Sequence, residues 1–156
     1  MKKKVTRYLK EIILFTLVMV VFSNGISLYR SLDLNKKPLS LNYSLVKDKP
    51  VLVHFWAIWC PICRIEAQNI QTIAENFEVI TIAVKSGSDK DIQEYLKSNN
   101  LDFKFINDND GYLAQKFGIS VYPTTIVYDK EKNVVFSDVG YTSTWGLWLR
   151  MWWASF

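Results

Sequence analysis

Apolar residues follow two alternating patterns along this chain, and together the patterns predict strands separated by helices. Nearly continuous apolar runs at 50–57 and 79–86 are rich in β-branched and aromatic residues, as in strands buried on both faces. Between the two runs, from Pro61 to about Asn76, apolar residues recur at roughly helical spacing. The pattern therefore predicts a buried strand, a helix and a second buried strand, in that order.

The alternation continues through the second half of the chain. Ser88 and Asp91 have the spacing of a capping box, which predicts a helix that ends near Ser98. The remaining predicted elements are an extended segment at 101–108, a short helix at 111–117 ending at Gly118, a hairpin of 124–129 with 133–139, and a last helix over 145–154 capped by Ser143 or Thr144. This order predicts an α/β fold in which helices flank a central mixed β-sheet.

Residues 30–49 have a different character. Their apolar and polar positions alternate around a turn signal at 35–38, so we interpret them as a spacer that runs into a short edge hairpin. Residues 50–156 then form the α/β domain, and their number suits one ordinary domain. A content of 49% apolar and 15% aromatic residues excludes a disordered chain.

An uncharged apolar stretch at 12–29 precedes the spacer. Eighteen residues at helical rise span about 27 Å, close to the ~30 Å hydrocarbon core of a bilayer, so the stretch predicts a transmembrane anchor. A cleaved signal peptide is the alternative, with a weak cleavage site at 23–25. A buried core helix is disfavoured because the run has no polar face to turn to water.

The charge distribution orients this stretch. The basic segment 1–11 alone carries the formal net charge of +4, and the rest of the chain is balanced. Basicity confined to one terminus argues against a nucleic-acid partner. Lysines before an apolar stretch predict a cytoplasmic N-terminus and an exported body. The expected location is the inner (cytoplasmic) membrane, crossed once, with the domain in the periplasm.

Cys60 and Cys63 are the only cysteines of the chain. Disulfides persist in an exported body. A bond across two intervening residues adds little stability, which indicates a chemical role for the pair. Two inert thiols and half a zinc site are the alternatives, but a structural zinc site needs four ligands, and the chain has two cysteines, one histidine (His54) and no second C-x-x-C.

A C-x-x-C motif where a strand meets a helix has the arrangement that thiol–disulfide exchange requires. The helix start places Cys60 near unpaired N–H groups and the positive end of the helix dipole, which favour a thiolate. Pro61 suits the first helical position. Cys60 is therefore predicted to be the exposed attacking sulfur, and Cys63, shielded one turn later, to resolve the mixed disulfide.

Longer motifs around the cysteines carry a family resemblance. VLVHFWAIWCPICRIEAQ at 51–68 and VYPTTIVYD at 121–129 resemble the thioredoxin fold in its membrane-tethered TlpA/ResA/DsbE-like branch. VKSGSD, the ND-x-D-G stretch and GYTSTWGLWLR resemble the suppressor-of-copper-sensitivity D (ScsD) group of that branch. The resemblance covers about 33–150. It implies a thioredoxin fold, protein-disulfide oxidoreductase activity on the periplasmic side, and a role like those in cytochrome c biogenesis or copper tolerance.

The resemblance also implies that the Tyr122–Pro123 bond is cis and lies beside the cysteines. A trans proline that starts a strand is the alternative. A proline at this point can expose the backbone of Tyr122 for pairing with an extended substrate segment. Trp59 is expected to shape the surface that partners contact.

Two titratable residues are candidates for tuning the pair. His54 matches the position of the buried carboxylate beneath the thioredoxin disulfide, and it could relay a proton to Cys63 or, if charged, favour thiolate. A satisfied core histidine is the alternative. Glu66, on the helical face of Cys63, resembles the glutamate with which the ResA-like branch tunes its cysteines. A solvated surface charge is the alternative there.

The predicted function is exchange of dithiol for disulfide, with no cofactor beyond the redox-active Cys60–Cys63 pair. The expected partners are cysteine-containing exported proteins, a membrane electron donor or acceptor, and the membrane through 12–29. The tether and the DsbE-like resemblance favour a reductant over an oxidant or isomerase. A Cu(I)-binding copper-tolerance module is a further alternative, although methionine-rich clusters are absent and no metal site is predicted. Four tryptophans at 145, 148, 152 and 153 are expected to pack on the sheet or, alternatively, to meet the membrane interface.

Overall fold

A computed structural model describes residues 8–19, 22 and 49–156. The described residues before the domain, 8–19 and 22, are helical and are called α1. No helix among these described residues is long and apolar enough to cross a membrane. Residues 20, 21 and 23–29 of the predicted anchor, and all of the predicted spacer and edge hairpin at 30–49 except residue 49, lie outside the described residues.

The domain is built on one mixed sheet. Within the described residues the sheet has five strands in the order β3-β2-β1-β4-β5. β1 pairs in parallel with β2 and antiparallel with β4, whereas β3 and β5 form the edges. The strands are Val51–Trp56 (β1), Glu78–Val84 (β2), Phe105–Asp108 (β3), Thr124–Tyr128 (β4) and Val134–Val139 (β5). The predicted central strand and C-terminal hairpin are confirmed.

Four helices of the domain connect or follow these strands in the described part of the chain. They are Pro61–Ala74 (α2), Asp89–Ser98 (α3), Tyr112–Phe117 (α4) and Thr144–Trp153 (α5). The predicted capping box opens α3, because the Ser88 hydroxyl accepts from the Asp91 N–H and the Asp91 carboxylate accepts from the Ser88 N–H. Gly118 ends α4 with a φ of 72°, a left-handed conformation that glycine adopts without steric cost.

The sheet separates two apolar cores. Leu52 and Trp56 point from one face of β1 into a core that also contains Cys60 and Cys63. The alternate residues of β1 point into the opposite core, which the residues of α4 help to fill. His54 has the same parity as Leu52 and Trp56, so it lies on the face of β1 that carries the cysteines.

The expectation that the tryptophans of α5 pack on the sheet is wrong. Leu147 and Met151 are fully buried, and Ala154 just beyond the helix is nearly so. The outward side holds tryptophans that are 40% to 78% exposed, at positions 145, 148, 152 and 153. The core that contains the cysteines therefore takes the side of α5 with the smaller apolar residues, and the tryptophan side is left largely exposed.

Candidate active site

The cysteines lie where β1 passes into α2. β1 ends at Trp56, and α2 begins at Pro61 with Cys60 as its N-cap in an extended backbone conformation. The Cys63 N–H donates a hydrogen bond to the Cys60 sulfur over 3.2 Å. The sulfur thus occupies the place of a capping oxygen, where the helix dipole and a backbone donor stabilise negative charge. Cys60 and Cys63 are joined in a disulfide, with their Cα atoms 5.3 Å apart.

Exposure does not distinguish the two cysteines, contrary to the expectation of an exposed Cys60. Cys60 is 4% exposed and Cys63 is 2% exposed. The difference between them is positional instead, because Cys60 caps the helix and Cys63 lies one turn inside it. The surface next to the cysteines is apolar, because Trp59 is 53% exposed and Ile62 is 44% exposed.

The loop before β4 lies against Cys60. The Tyr122–Pro123 peptide bond is cis, as the family resemblance implies. The Tyr122 carbonyl oxygen lies 3.7 Å from the Cys60 sulfur. The rings of Trp59 and Tyr122 meet edge to face with centroids 5.8 Å apart. The structure therefore brings Cys60, Trp59, Tyr122 and Pro123 together, as predicted.

The loop after β2 holds the segment in front of the cysteines, a feature that the sequence analysis missed. The Trp59 indole N–H donates to the Lys85 carbonyl over 2.9 Å, and the Ile58 N–H donates to the Ser86 hydroxyl over 3.2 Å. Lys85 has a φ of 46°, which turns the chain out of β2 at this point. Both acceptors belong to the VKSGSD motif, whose family resemblance is the signal that could have indicated this contact.

His54 is a buried residue with a hydrogen-bonding partner. It is 2% exposed, and its Nδ1 lies 2.9 Å from the Thr125 hydroxyl oxygen. Burial lowers the pKa of His54 from 6.5 to about 3, so the imidazole is neutral at neutral pH. This arrangement agrees with the satisfied core alternative and removes support for a role through positive charge. A proton relay by the neutral ring stays a prediction.

Glu66 lies in the interior, so the solvated-charge alternative is wrong. The residue is fully buried, and its Oε1 accepts a hydrogen bond of 2.9 Å from the Thr142 N–H. Its Oε2 is buried and accepts no hydrogen bond from the part of the chain that the structure describes. Burial raises the pKa of Glu66 to about 7, against the Thr142 hydrogen bond, and the charge of Asp138 adds to the rise.

A row of polar side chains crosses the sheet beneath α2. His54 is opposite Thr125 in the β1–β4 register, and Thr125 is opposite Asp138 in the β4–β5 register. Cross-strand partners share a face, so the row runs from β1 to the edge strand. There Arg150 of α5 pairs with Asp138, with its Nε 2.7 Å from the Asp138 carboxylate. The GYTSTWGLWLR motif thus supplies both the donor to Glu66 and the partner of Asp138.

Metal ligands are sparse around this centre. Among the residues that the structure describes, no group of three or more His, Cys, Asp or Glu side chains is placed to hold a metal ion. The chemistry that the site offers is exchange at two sulfurs, with an apolar rim and a buried carboxyl nearby.

Comparison with known proteins identifies the class to which this geometry belongs. The relatives include thioredoxin-like proteins and thiol–disulfide oxidoreductases, and this chain, with its Cys60–Cys63 disulfide, is a thioredoxin-like thiol–disulfide oxidoreductase. The chain belongs to the AhpC/TSA family, whose model matches residues 27–137. Its mixed sheet with flanking helices is accordingly a thioredoxin-like α/β fold, as predicted.

Three relatives show the extent of the similarity. A thioredoxin-like protein of Haemophilus influenzae is 37% identical over 125 residues, which cover 80% of this chain and 74% of that protein. The thiol:disulfide interchange protein DsbE of Yersinia pestis is 27% identical over 65% of this chain and 55% of its own length. The structure of a secreted thiol-disulfide isomerase from Corynebacterium glutamicum matches with a TM-score of 0.68 and 26% identity, over 78% of this chain and 80% of that one.

Proposed function

We propose that this protein is a membrane-anchored reductant of the periplasm and that it belongs to the ScsD group. Residues 12–29 hold it in the inner membrane, and the Cys60–Cys63 dithiol passes electrons to disulfides in exported proteins. A dithiol donor in the membrane restores the pair. In the copper-tolerance setting that the ScsD resemblance implies, the exchange keeps exported thiols reduced.

The surroundings of the sulfurs support the reducing direction. A reductant needs a disulfide that is stable relative to its dithiol, and this holds where thiolate is not strongly favoured. Cys60 and Cys63 lie in an apolar core at 4% and 2% exposure, which disfavours charge. Buried Glu66, one turn beyond Cys63, disfavours a thiolate further whenever it is ionised. The hydrogen bond from the Cys63 N–H acts in the opposite sense, and it favours Cys60 as the attacking sulfur.

The exchange conserves electrons and atoms at each step. The Cys60 thiolate attacks one sulfur of the substrate disulfide and displaces the other as a thiolate. Cys63 then attacks the Cys60 sulfur, which releases the substrate as a dithiol and leaves the Cys60–Cys63 disulfide. Glu66 titrates near neutral pH and is suited to accept the proton that Cys63 loses. Two electrons pass to the substrate, and the membrane donor returns two by the same exchange in reverse.

The substrate is proposed to bind as an extended segment across the Cys60 end of the domain. The Tyr122 backbone beside Pro123 offers strand-like pairing, and the exposed ring of Trp59 offers apolar contact. Unfolded exported proteins with cysteines between apolar residues fit this surface.

Equilibration with glutathione buffers tests the direction of electron flow. We expect a reduction potential nearer to about −270 mV, as in a thioredoxin-type reductant, than to about −120 mV, as in a strong oxidant. At pH 8 Glu66→Gln should raise the potential, because it removes a negative charge that opposes thiolate. The shift is about 30 mV for each 1.4 kcal/mol of thiolate stabilisation. A wild-type potential near the oxidant value would contradict the reductant role.

The anchor has a separate test. Because lysines precede residues 12–29, we expect the full chain in the membrane fraction, resistant to alkaline carbonate and with its N-terminal peptide still attached. Mass spectrometry of that fraction detects the peptide. A product starting near Ile26 and free of the membrane would establish signal cleavage instead.

A further inference from the structure

Helix α5 presents a second apolar side to solvent. Five of its residues share that side, and we call them the tryptophan face. They are Trp145 (78% exposed), Trp148 (40%), Leu149 (56%), Trp152 (46%) and Trp153 (66%). At 3.6 residues per turn these positions fall within one arc of about 140°. The opposite arc packs into the core through Leu147 and Met151. The tryptophan face is therefore one continuous surface, and an apolar surface of this kind marks a site of interaction.

The chemistry of the face fits a lipid interface. α5 contains no acidic residue, and its one basic residue, Arg150, is paired with Asp138 to the side of the face. Docking on lipid headgroups would thus desolvate no unpaired charge of the helix. Tryptophan is the residue enriched where hydrocarbon meets headgroups, because its ring is apolar and its N–H is a donor.

The path of the chain brings this face towards the proposed anchor. Lys49 and Pro50, the first described residues of the domain, line the same groove as Ser155, just beyond α5. The connection to residues 12–29 therefore leaves the domain beside the C-terminal end of the tryptophan face. Twenty peptide steps separate Tyr29 from Lys49, so the domain stays within about 70 Å of the anchor whatever path they take.

We propose that the tryptophan face docks on the lipid interface of the membrane in which the chain is anchored. The proposal rests on the anchoring given above. Glu75 and Asn76, at the C-terminal end of α2, line the groove with Ser155, whereas Cys60 caps the other end. Fourteen residues of α2 span about 21 Å, so the cysteines lie about that far from the groove at which the chain enters the domain.

Quenching of tryptophan fluorescence by brominated lipid tests the docking. All six tryptophans follow residue 55, so the anchor itself contributes no signal. We expect quenching when the full chain is reconstituted in vesicles of phosphatidylethanolamine and phosphatidylglycerol that contain a phospholipid brominated near the top of one acyl chain. The triple variant Trp145→Gln, Trp152→Gln, Trp153→Gln should lose most of that quenching. Trp59→Phe, at the cysteine end, should keep it and serves as the matched control.

The outcomes separate docking from anchoring. A carbonate-resistant chain whose tryptophans are not quenched overturns the docking and leaves the anchor in place. Quenching of a chain that carbonate extracts supports the docking and removes the anchor, and absence of both overturns both. Tryptophans shielded from acrylamide but not quenched by brominated lipid indicate a second copy of the chain on the face, and this also overturns the proposal. Disulfide exchange by the triple variant in detergent shows that its fold is intact.

Discussion

Replacement of Cys63 by serine is expected to trap covalent complexes with substrate proteins, whereas replacement of Cys60 should trap none. In Cys63→Ser the backbone N–H that stabilises the Cys60 sulfur is still present, so attack on a substrate disulfide continues. The mixed disulfide then has no thiol to resolve it. Turnover of an insulin-like disulfide should fall on the order of 10³-fold or more in either variant. Non-reducing gels of membrane extracts detect the trapped species.

Cys60→Ser is a well-matched control for this experiment. Serine is among the preferred N-cap residues, so the variant keeps a capping hydrogen bond with the backbone of residue 63 and the start of α2 should be preserved. Loss of trapping in Cys60→Ser then reports the loss of the nucleophile and not a loss of the fold. Equal trapping by the two variants would remove the assignment of Cys60 as the attacking sulfur. The experiment is needed because the two cysteines are almost equally buried, at 4% and 2% exposure, so exposure alone does not identify the attacking sulfur.

Elements with a local signal were predictable from the sequence. The start of α2 follows from proline at its first position, and the start of α3 from its capping box. β1 follows from an unbroken apolar run, which a central strand requires. The cysteine pair follows from its spacing at a strand–helix junction. In each case the deciding interaction lies within a few residues of the signal.

The surroundings of the pair depend on contacts between distant parts of the chain. Buried Glu66 accepts its hydrogen bond from Thr142, 76 residues away, and His54 forms its hydrogen bond with Thr125, 71 residues away. Nothing near either residue in sequence indicates those partners. The buried side of α5 was predicted wrongly for a different reason. A helix with apolar residues on nearly every side has no polar side to indicate which of its sides faces the core. The buried side is defined only by tertiary contacts, in which Leu147 packs in the core and Arg150 pairs with Asp138.

The second large effect concerns the free energy of unfolding. We expect His54 and Glu66 to make opposite contributions to its dependence on pH. The pKa of His54 is lowered from 6.5 to about 3 by burial, so its contribution is complete above pH 6.5 and is lost as the pH falls towards 3. That loss is about 5 kcal/mol of unfolding free energy. The pKa of Glu66 is raised from 4.5 to about 7, so its contribution is complete below pH 4.5 and is lost as the pH rises to 7. That loss is about 3 kcal/mol.

Between pH 4.5 and 6.5 the two contributions cancel in the wild-type protein, and single substitutions should reveal each of them. Glu66→Gln should lose about 3 kcal/mol as the pH falls through this interval, because His54 then acts alone. His54→Asn should lose a similar amount as the pH rises through it, because Glu66 then acts alone. Urea denaturation of the full chain in non-ionic detergent measures both slopes relative to wild type.

A change of slope isolates the titration from any general weakening of the core, because a lost contact lowers stability at every pH. Glu75→Gln, an exposed carboxylate at the end of the same helix, is the matched control and should run parallel to wild type. Curves for Glu66→Gln and His54→Asn that also ran parallel to wild type would show that neither residue changes protonation on unfolding. The tuning role proposed for Glu66 would then be lost, because a carboxyl whose pKa stays at its ordinary value of 4.5 is too weak a base to hold the proton of Cys63 near neutral pH. Opposite slopes would instead identify Glu66 as a buried acid that titrates in the range where the exchange operates.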